Sequence, residues 1–338
     1  MNTFKGPVLV MGAGSIGCYL GGLLAAAGVE VHLVARPRVM DALSARGLHL
    51  TDLRGGQHSL PAGSLNLHAA PPAGVRPAVT LLCVKSGATQ EAAAQLQAVL
   101  PPGSVVVSMQ NGIGNAERAA EAAPSLHFLP GMVPFNVAEL APGHFHRGTE
   151  GALATQAHPA IDGLAEAFGR QGLKLQQHED LASVQWGKLL INLNNPVNAL
   201  SGLPLRAELL ERGYRRCFAA LQEEGLRVLA AAGIEPAQVT ALPPRQLIKL
   251  LRLPTFAFKL LARRILAIDP KARSSMADDL ALGRTTEIDA LSGEIVRLAS
   301  RLGVDAPQNE RTVALVRACE RQRRSYAPNE LGRALGLW

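Results

Sequence analysis

The sequence predicts an α/β domain with a parallel sheet followed by an all-α domain, and three observations carry that expectation. An apolar run from Val8 to Met11 ends in a Gly-x-Gly-x-x-Gly spacing and passes straight into a helical pattern over Cys18 to Ala27. Strand-like and helix-like stretches then alternate as far as Val107, as a parallel sheet with right-handed crossovers requires. After Glu179 nearly every stretch is helical by periodicity, which places the domains at 1–177 and 178–338.

Taken in order, the first turn is Gly12-Ala13-Gly14-Ser15-Ile16-Gly17. Gly12 permits the tight turn, Gly14 lets the backbone approach a pyrophosphate, and Gly17 lets the new helix pack closely on the strand. The free N–H groups and the positive end of the helix then face the phosphates. This spacing reads as a Rossmann-type dinucleotide-binding domain. The second strand, Glu30 to Ala35, runs into Arg36. An NAD site usually places an acid about twenty residues beyond the glycines to hold the ribose 2′-hydroxyl. A guanidinium there instead grips a 2′-phosphate with two parallel hydrogen bonds, so NADPH/NADP+ is favoured. Arg38 is a candidate second contact.

The stretch from Leu48 to Ala69, with Arg54-Gly55-Gly56 in its middle, departs from the alternation and reads as a β-hairpin excursion. Val79 to Val84 is a buried strand ending at Lys85-Ser86-Gly87, and Val105 to Ser108 is another, ending at Gln110-Asn111-Gly112. Ligands in open α/β sheets bind outside the carboxyl ends of strands, so Lys85 and Asn111 are candidates to touch cofactor or substrate. Asn111-Gly112 is also a turn signal in its own right. Further strands are expected at 151–155 and 173–175 around a helix from Pro159 to Arg170.

Composition narrows the function classes. The 338 residues carry 48% hydrophobic residues and a net charge of +7, ample for two cores and ordinary for an α/β enzyme. The lysines and arginines are scattered and only 4% of residues are aromatic, so no basic and aromatic stripe for nucleic acid emerges. Cys18, Cys83, Cys217 and Cys319 are widely spaced, which implies neither a metal site nor a disulfide framework. No charged-then-apolar leader and no apolar run of about 18 residues is present, so a cytoplasmic protein without a membrane partner is expected.

The second domain opens with a helix from Val184 through Ala199. At 100° per residue, Lys188, Asn192 and Asn195 fall within about 60° of one another, one polar stripe on an otherwise apolar helix. Such a stripe needs a polar partner, either another helix or a ligand. Pro196 lacks a backbone donor and is expected to kink the helix there. Ser275-x-x-Asp278 fits a capping box, which makes Ser275 a cap, a ligand, or both. The apolar helices at 221–232 and 291–302 fit a single subunit or a homodimer equally.

Gly12-x-Gly14-x-x-Gly17, Arg36, Lys85, Gln110-Asn111-Gly112, the run Trp186 to Asn192, Ser274-Ser275-Met276 and Thr286-Glu287-Ile288-Asp289 together resemble the ketopantoate reductases, in order along essentially the whole chain. The resemblance implies an NADPH-dependent reduction of 2-dehydropantoate to pantoate, on the route to pantothenate and coenzyme A. It implies Lys188 as general acid, Glu287 as the second central residue of the site, Asn192 and Ser275 as substrate ligands, and Lys85 and Asn111 near the nicotinamide and substrate. The family often spaces a second Asn four residues after the first, where this chain has Pro196, so Asn195 or Asn198 takes that part. The segment 241–272 is longer than in the shorter members.

The chemistry agrees on its own terms. Hydride arriving at a ketone carbon leaves negative charge on its oxygen, which calls for a proton donor within hydrogen-bond reach. Lys188 can be that donor, with burial moving its pKa toward the working range. A reductase of another 2-keto acid would keep Arg36 and Lys188, and an NADP(H)-sensing protein would keep Arg36 alone.

Overall fold

The computed structural model describes residues 4–263, 266, 269–270 and 272–338. It divides into two compact units, Met1–Leu181 and Ala182–Trp338. The division falls beyond the expected Gln177 because a last strand, residues 175–178, still belongs to the sheet of the first unit.

The first unit contains β1 (Val8–Met11), α1 (Ser15–Ala26), β2 (Val31–Val34), α2 (Pro37–Arg46), β3 (Leu48–Asp52), β4 (Gln57–Leu60), β5 (Asn66–His68), β6 (Val79–Leu82), α3 (Thr89–Gln97), β7 (Val105–Ser108), α4 (Asn115–Ala122), β8 (His127–Met132), β9 (Val137–Ala141), β10 (His144–Arg147), β11 (Leu153–Gln156), α5 (Asp162–Arg170) and β12 (Leu175–His178). Eight strands form the main sheet in the order β12-β11-β8-β7-β6-β1-β2-β5. From β5 to β8 neighbours are parallel, and β11 turns antiparallel to β8. Strand β1 lies inside the sheet, third from the β5 edge, with both faces covered. Val8 and Val10 join the core on one side of the sheet with Leu20, Leu24 and Leu33, whereas Leu9 and Met11 join Leu82, Leu96 and Val106 on the other.

The excursion after α2 is a hairpin, β3 antiparallel to β4, but it does not stand alone. With β10 and β9 it builds a second sheet in the order β4-β3-β10-β9, and α1 packs against both sheets through two glycines. A Cβ on Gly21 would lie 2.6 Å from Leu33 of the main sheet, and one on Gly22 would lie 2.6 Å from Leu48 of the second. Small residues on α1 therefore set how closely it sits between the two layers.

Among its described residues the second unit is all helix: α6 (Ala182–Asn192), α7 (Asn194–Ser201), α8 (Leu205–Leu210), α9 (Arg212–Ala231), α10 (Pro244–Arg252), α11 (Thr255–Leu261), α12 (Ser275–Ala281), α13 (Ser292–Leu302), α14 (Pro307–Arg321) and α15 (Pro328–Ala334). The hub is α9, whose Gly225 approaches Leu190, Leu193 and Ile295 from three other segments. The α9 residue Glu224 accepts hydrogen bonds from the backbone N–H groups of Gln308 at 3.0 Å and Asn309 at 2.7 Å, so a carboxylate meets the positive end of α14. The apolar faces of α9 and α13, including Leu221, Val228, Ile295 and Leu298, are buried within this unit. Within 241–272, α10 packs on α9, whereas Arg264, Ile265, Ala267, Ile268 and Lys271 lie outside the described residues. No described helix is long and apolar enough to cross a membrane.

Candidate functional site

In the first unit the glycine turn is tied to the end of β2. The Val34 carbonyl accepts hydrogen bonds from Gly12 N at 3.2 Å and Ala13 N at 2.8 Å. Gly12 has φ of 99°, and a Cβ on it would lie 2.7 Å from both the side chain and the backbone nitrogen of Val84. No other residue type fits there without strain. A Cβ on Gly17 would stand 2.3 Å from the Gly12 carbonyl oxygen, so this glycine closes the turn onto the helix. Gly14 differs from both, because a Cβ there would meet nothing within 4 Å. Its open face, together with an α1 N-terminus that has no side-chain cap and no acid in its first turn, fits a pyrophosphate brought against the backbone.

Arg36 follows β2 on the same edge of the sheet, as the exposed N-cap residue of α2. Arg38, the second candidate, is already engaged: its guanidinium donates to both carboxylate oxygens of Glu139, at 2.9 and 2.8 Å. Lys85 and Asn111 sit on neighbouring loops after β6 and β7, laced together beneath the surface. Ser86 Oγ donates to the Asn111 carbonyl at 3.0 Å. Buried Gln110 donates to the Val84 carbonyl at 3.0 Å and to Thr89 Oγ1 at 2.8 Å, and accepts from Ser108 Oγ at 2.8 Å. Gln110 thus fixes both loops, a role that the turn signal beside it does not reveal.

In the second unit Lys188 is half-buried on α6 between buried Gly187 and Leu189. Burial pulls its pKa down to about 8, and Glu287, close enough to favour the ammonium form, opposes that shift. Glu287 stands at the start of the 3-10 turn Ile288–Ala290. The lysine's backbone is positioned by a close approach: a Cβ on Gly187 would lie 2.2 Å from the Ala237 carbonyl oxygen. Gly187→Ala should therefore lower unfolding free energy by about 1–3 kcal/mol in urea titration despite alanine's better helix propensity. Unchanged stability would mean that the 237–239 segment yields freely.

The polar stripe is split. The helix breaks at Leu193, between α6 and α7, and not at Pro196. Proline acts one turn back, since it offers no N–H to the carbonyl four residues earlier, Asn192, and its ring crowds that carbonyl. Half-buried Asn192 ends α6 and half-buried Asn195 lies in the first turn of α7. Asn198 is fully buried; its Nδ2 donates to the Leu203 carbonyl at 2.9 Å and its Oδ1 accepts from Ser274 N at 3.0 Å. Its amide thereby joins α7 to α12, and it also lies within reach of the Glu208 carboxyl on α8. The cap of α12 is Ser274, whose hydroxyl accepts from Ala277 N at 3.2 Å, so the capping box expected from Ser275 to Asp278 does not form and a single serine cap stands one residue earlier, with alanine at the third helical position. Ser275 is left exposed in the first turn. Among the described residues no group of three or more His, Cys, Asp or Glu side chains could hold a metal.

Fold and site together define a class, a dinucleotide-binding α/β unit carried on one chain with a helical unit that holds a half-buried lysine near an acid. Residues 8–160 match the family described as Ketopantoate reductase PanE/ApbA, and residues 180–320 match Ketopantoate reductase PanE/ApbA C terminal. The chain belongs to the ketopantoate reductase family and is an oxidoreductase. It is 28% identical to the 2-dehydropantoate 2-reductase of Pyrococcus horikoshii, over 93% of this chain and 97% of that one. The crystal structure of a PanE/ApbA family ketopantoate reductase from Ralstonia eutropha superposes with a TM-score of 0.78 at 30% identity, covering 94% of this chain and 99% of that one. A D-mandelate dehydrogenase, solved with NADH and anilino(oxo)acetate, shares the fold with a TM-score of 0.78 at 20% identity, over 94% of this chain and 99% of that one.

Proposed function

We propose that this protein is a cytosolic, NADPH-dependent reductase that converts 2-dehydropantoate to (R)-pantoate. The observation that carries the reading is Lys188, an ammonium group made more acidic by burial and kept largely charged near neutrality by Glu287. In this reading Gly12, Ala13, Gly14, Ser15, Ile16 and Gly17 cradle the pyrophosphate, Arg36 takes the 2′-phosphate, and Lys85 and Asn111 border the nicotinamide. NADPH, when bound, supplies the hydride that reaches the ketone carbon. Lys188 Nζ donates a hydrogen bond to the ketone oxygen and transfers a proton to it as negative charge develops there. The neutral amine then recovers a proton from solvent. Asn192, Asn195 and Ser275 hold the substrate's hydroxyl and carboxylate without adding charge, and Glu287 keeps the lysine charged and orients it.

The test is NADPH oxidation by the purified protein with 2-dehydropantoate, run beside pyruvate, 2-ketoisovalerate and 2-ketoisocaproate, with NADH as the cofactor control. Selectivity for 2-dehydropantoate with NADPH is the expected result. Selectivity for a different keto acid would overturn the substrate and leave the lysine chemistry standing. Binding of NADPH with no turnover of any of the four would overturn the enzymatic reading.

A further inference from the structure

Glu208 on α8 is fully buried, and its surroundings do not suit a carboxylate. Asn194 Nδ2 donates to its Oε2 at 3.0 Å. Its other oxygen, Oε1, and the amide oxygen of the same residue, Asn194 Oδ1, are both buried and have no hydrogen-bond partner among the described residues. Two unpaired acceptors on two groups already joined by one hydrogen bond is a costly arrangement unless a proton lies between them.

No nearby cation removes the difficulty. Arg215 of α9 is also fully buried, but it donates to the carbonyls of Leu209, Leu251 and Leu253 at 2.8, 3.1 and 2.9 Å and to Thr255 Oγ1 at 3.3 Å, with its plane over Phe258. The other titratable groups of α9 that interact with Glu208, those of Tyr214 and Cys217, bring no positive charge. Helix α7 contributes no titratable side chain, and Arg206 on α8 itself is exposed.

We propose that Glu208 is a neutral carboxylic acid whose Oε1–H donates to Asn194 Oδ1 while Oε2 accepts from Asn194 Nδ2, an acid–amide ring that locks the first turn of α7. The proton satisfies both orphaned oxygens at once. The ring makes Glu208 a positioning residue, because Asn194 directly precedes Asn195 and stands just past the break that follows Asn192. Asn195 is held from its other side as well, its carbonyl accepting from Ser274 Oγ at 3.2 Å. Desolvation agrees with the geometry: opposed by the side-chain amides of Asn194 and Asn198 and by the charge of Arg215, it still pushes the Glu208 carboxyl up to about 8.

The sign of the pH effect follows. In the unfolded chain Glu208 loses its proton near the ordinary value of 4.5, while the folded chain keeps it to about 8. Across that window the unfolded state binds fewer protons, so this group's contribution to stability falls as pH rises and then levels off above about 8. Glutamine reproduces the neutral acid, since its Nε2 can donate to Asn194 Oδ1 and its Oε1 can accept from Asn194 Nδ2.

The experiment compares thermal unfolding of the full chain and of Glu208→Gln from about pH 5 to about pH 9. The melting temperature of the variant, relative to wild type, is expected to climb by several degrees through the window and then hold constant. Parallel curves would overturn the proposal. An infrared carbonyl band of a protonated carboxyl in the wild-type protein near neutral pH, lost on titration past about 8, reads the same proton directly; its absence overturns the proposal whether or not the variant folds. The functional half rests on the proposed function. There KM for the keto acid rises above about pH 8 in wild type and stays flatter in Glu208→Gln, whereas kcat falls in both as Lys188 loses its proton. If neither protein turns over any keto acid, the proposed function fails while the melting curves and the infrared band still decide the acid–amide ring.

Discussion

Lys188→Ala is expected to lower kcat for keto acid reduction by about 10²–10⁴-fold, the range typical of a lost general acid, and to leave NADPH affinity within about threefold. The two effects are expected to separate because the residues proposed to cradle the cofactor lie in the first unit and Lys188 lies in the second. Alanine also removes an apolar stem, but at a half-buried position on a helix whose neighbours Trp186, Leu189 and Leu190 remain in place. The variant should therefore fold. Steady-state rates paired with a fluorescence titration of NADPH make the comparison, and a variant with wild-type kcat would remove Lys188 as the acid. The pH profile supplies an independent sign. A group that must donate a proton is active in its protonated form, so kcat of the wild type should decline as pH rises through about 8. An ordinary exposed lysine would hold its proton well beyond that point.

Much of this arrangement is written locally in the chain. The glycine turn is legible because each of its glycines answers a separate steric demand, and the structure places Val84 against Gly12, the Gly12 carbonyl against Gly17 and open space at Gly14. The inner strands are legible because β1 is apolar throughout and β6 is so except for Thr80, as strands buried on both faces of a helix-covered sheet require. What depends on distant partners is not. The second sheet joins β3 to β10, elements that start almost a hundred residues apart, and the short mixed run His144-Phe145-His146-Arg147 carries no strand signal strong enough to announce it.

The site shows the same divide. Lys188, Asn192 and Asn195 share a helix face by period, but the period is blind to the break at Leu193, which arises from a proline three residues further on. Asn198 looks like its neighbours in sequence and differs only because α12 and the 203 carbonyl close over it. Glu208 lies in an unremarked Leu-Arg-Ala-Glu-Leu-Leu, and nothing there signals that its carboxyl is sealed against Asn194. Adjacent serines present the same ambiguity at shorter range, since Ser274 and Ser275 are both plausible caps until the helix start is fixed.

Arg36→Asp should shift cofactor preference from NADPH toward NADH by about 10²-fold or more in the ratio of kcat/KM values. A charge-assisted hydrogen bond is worth about 1.5–3 kcal/mol, so losing a two-pronged grip on a 2′-phosphate alone accounts for most of that factor, and a carboxylate in its place adds repulsion. The neighbour cannot compensate, because Arg38 is held on Glu139 by two hydrogen bonds. The substitution is also unusually well tolerated by the fold. Residue 36 is the N-cap of α2 with an extended backbone, φ −71° and ψ 155°, and aspartate is among the best residues for that position and for the positive end of a helix. A changed cofactor ratio can therefore be read as a change in phosphate recognition and not as damage to α2. Melting temperature at or above that of wild type, with weakened NADPH and retained NADH turnover, is the expected pattern. An unchanged ratio in a stably folded variant would mean that some other group, not Arg36, meets the 2′-phosphate.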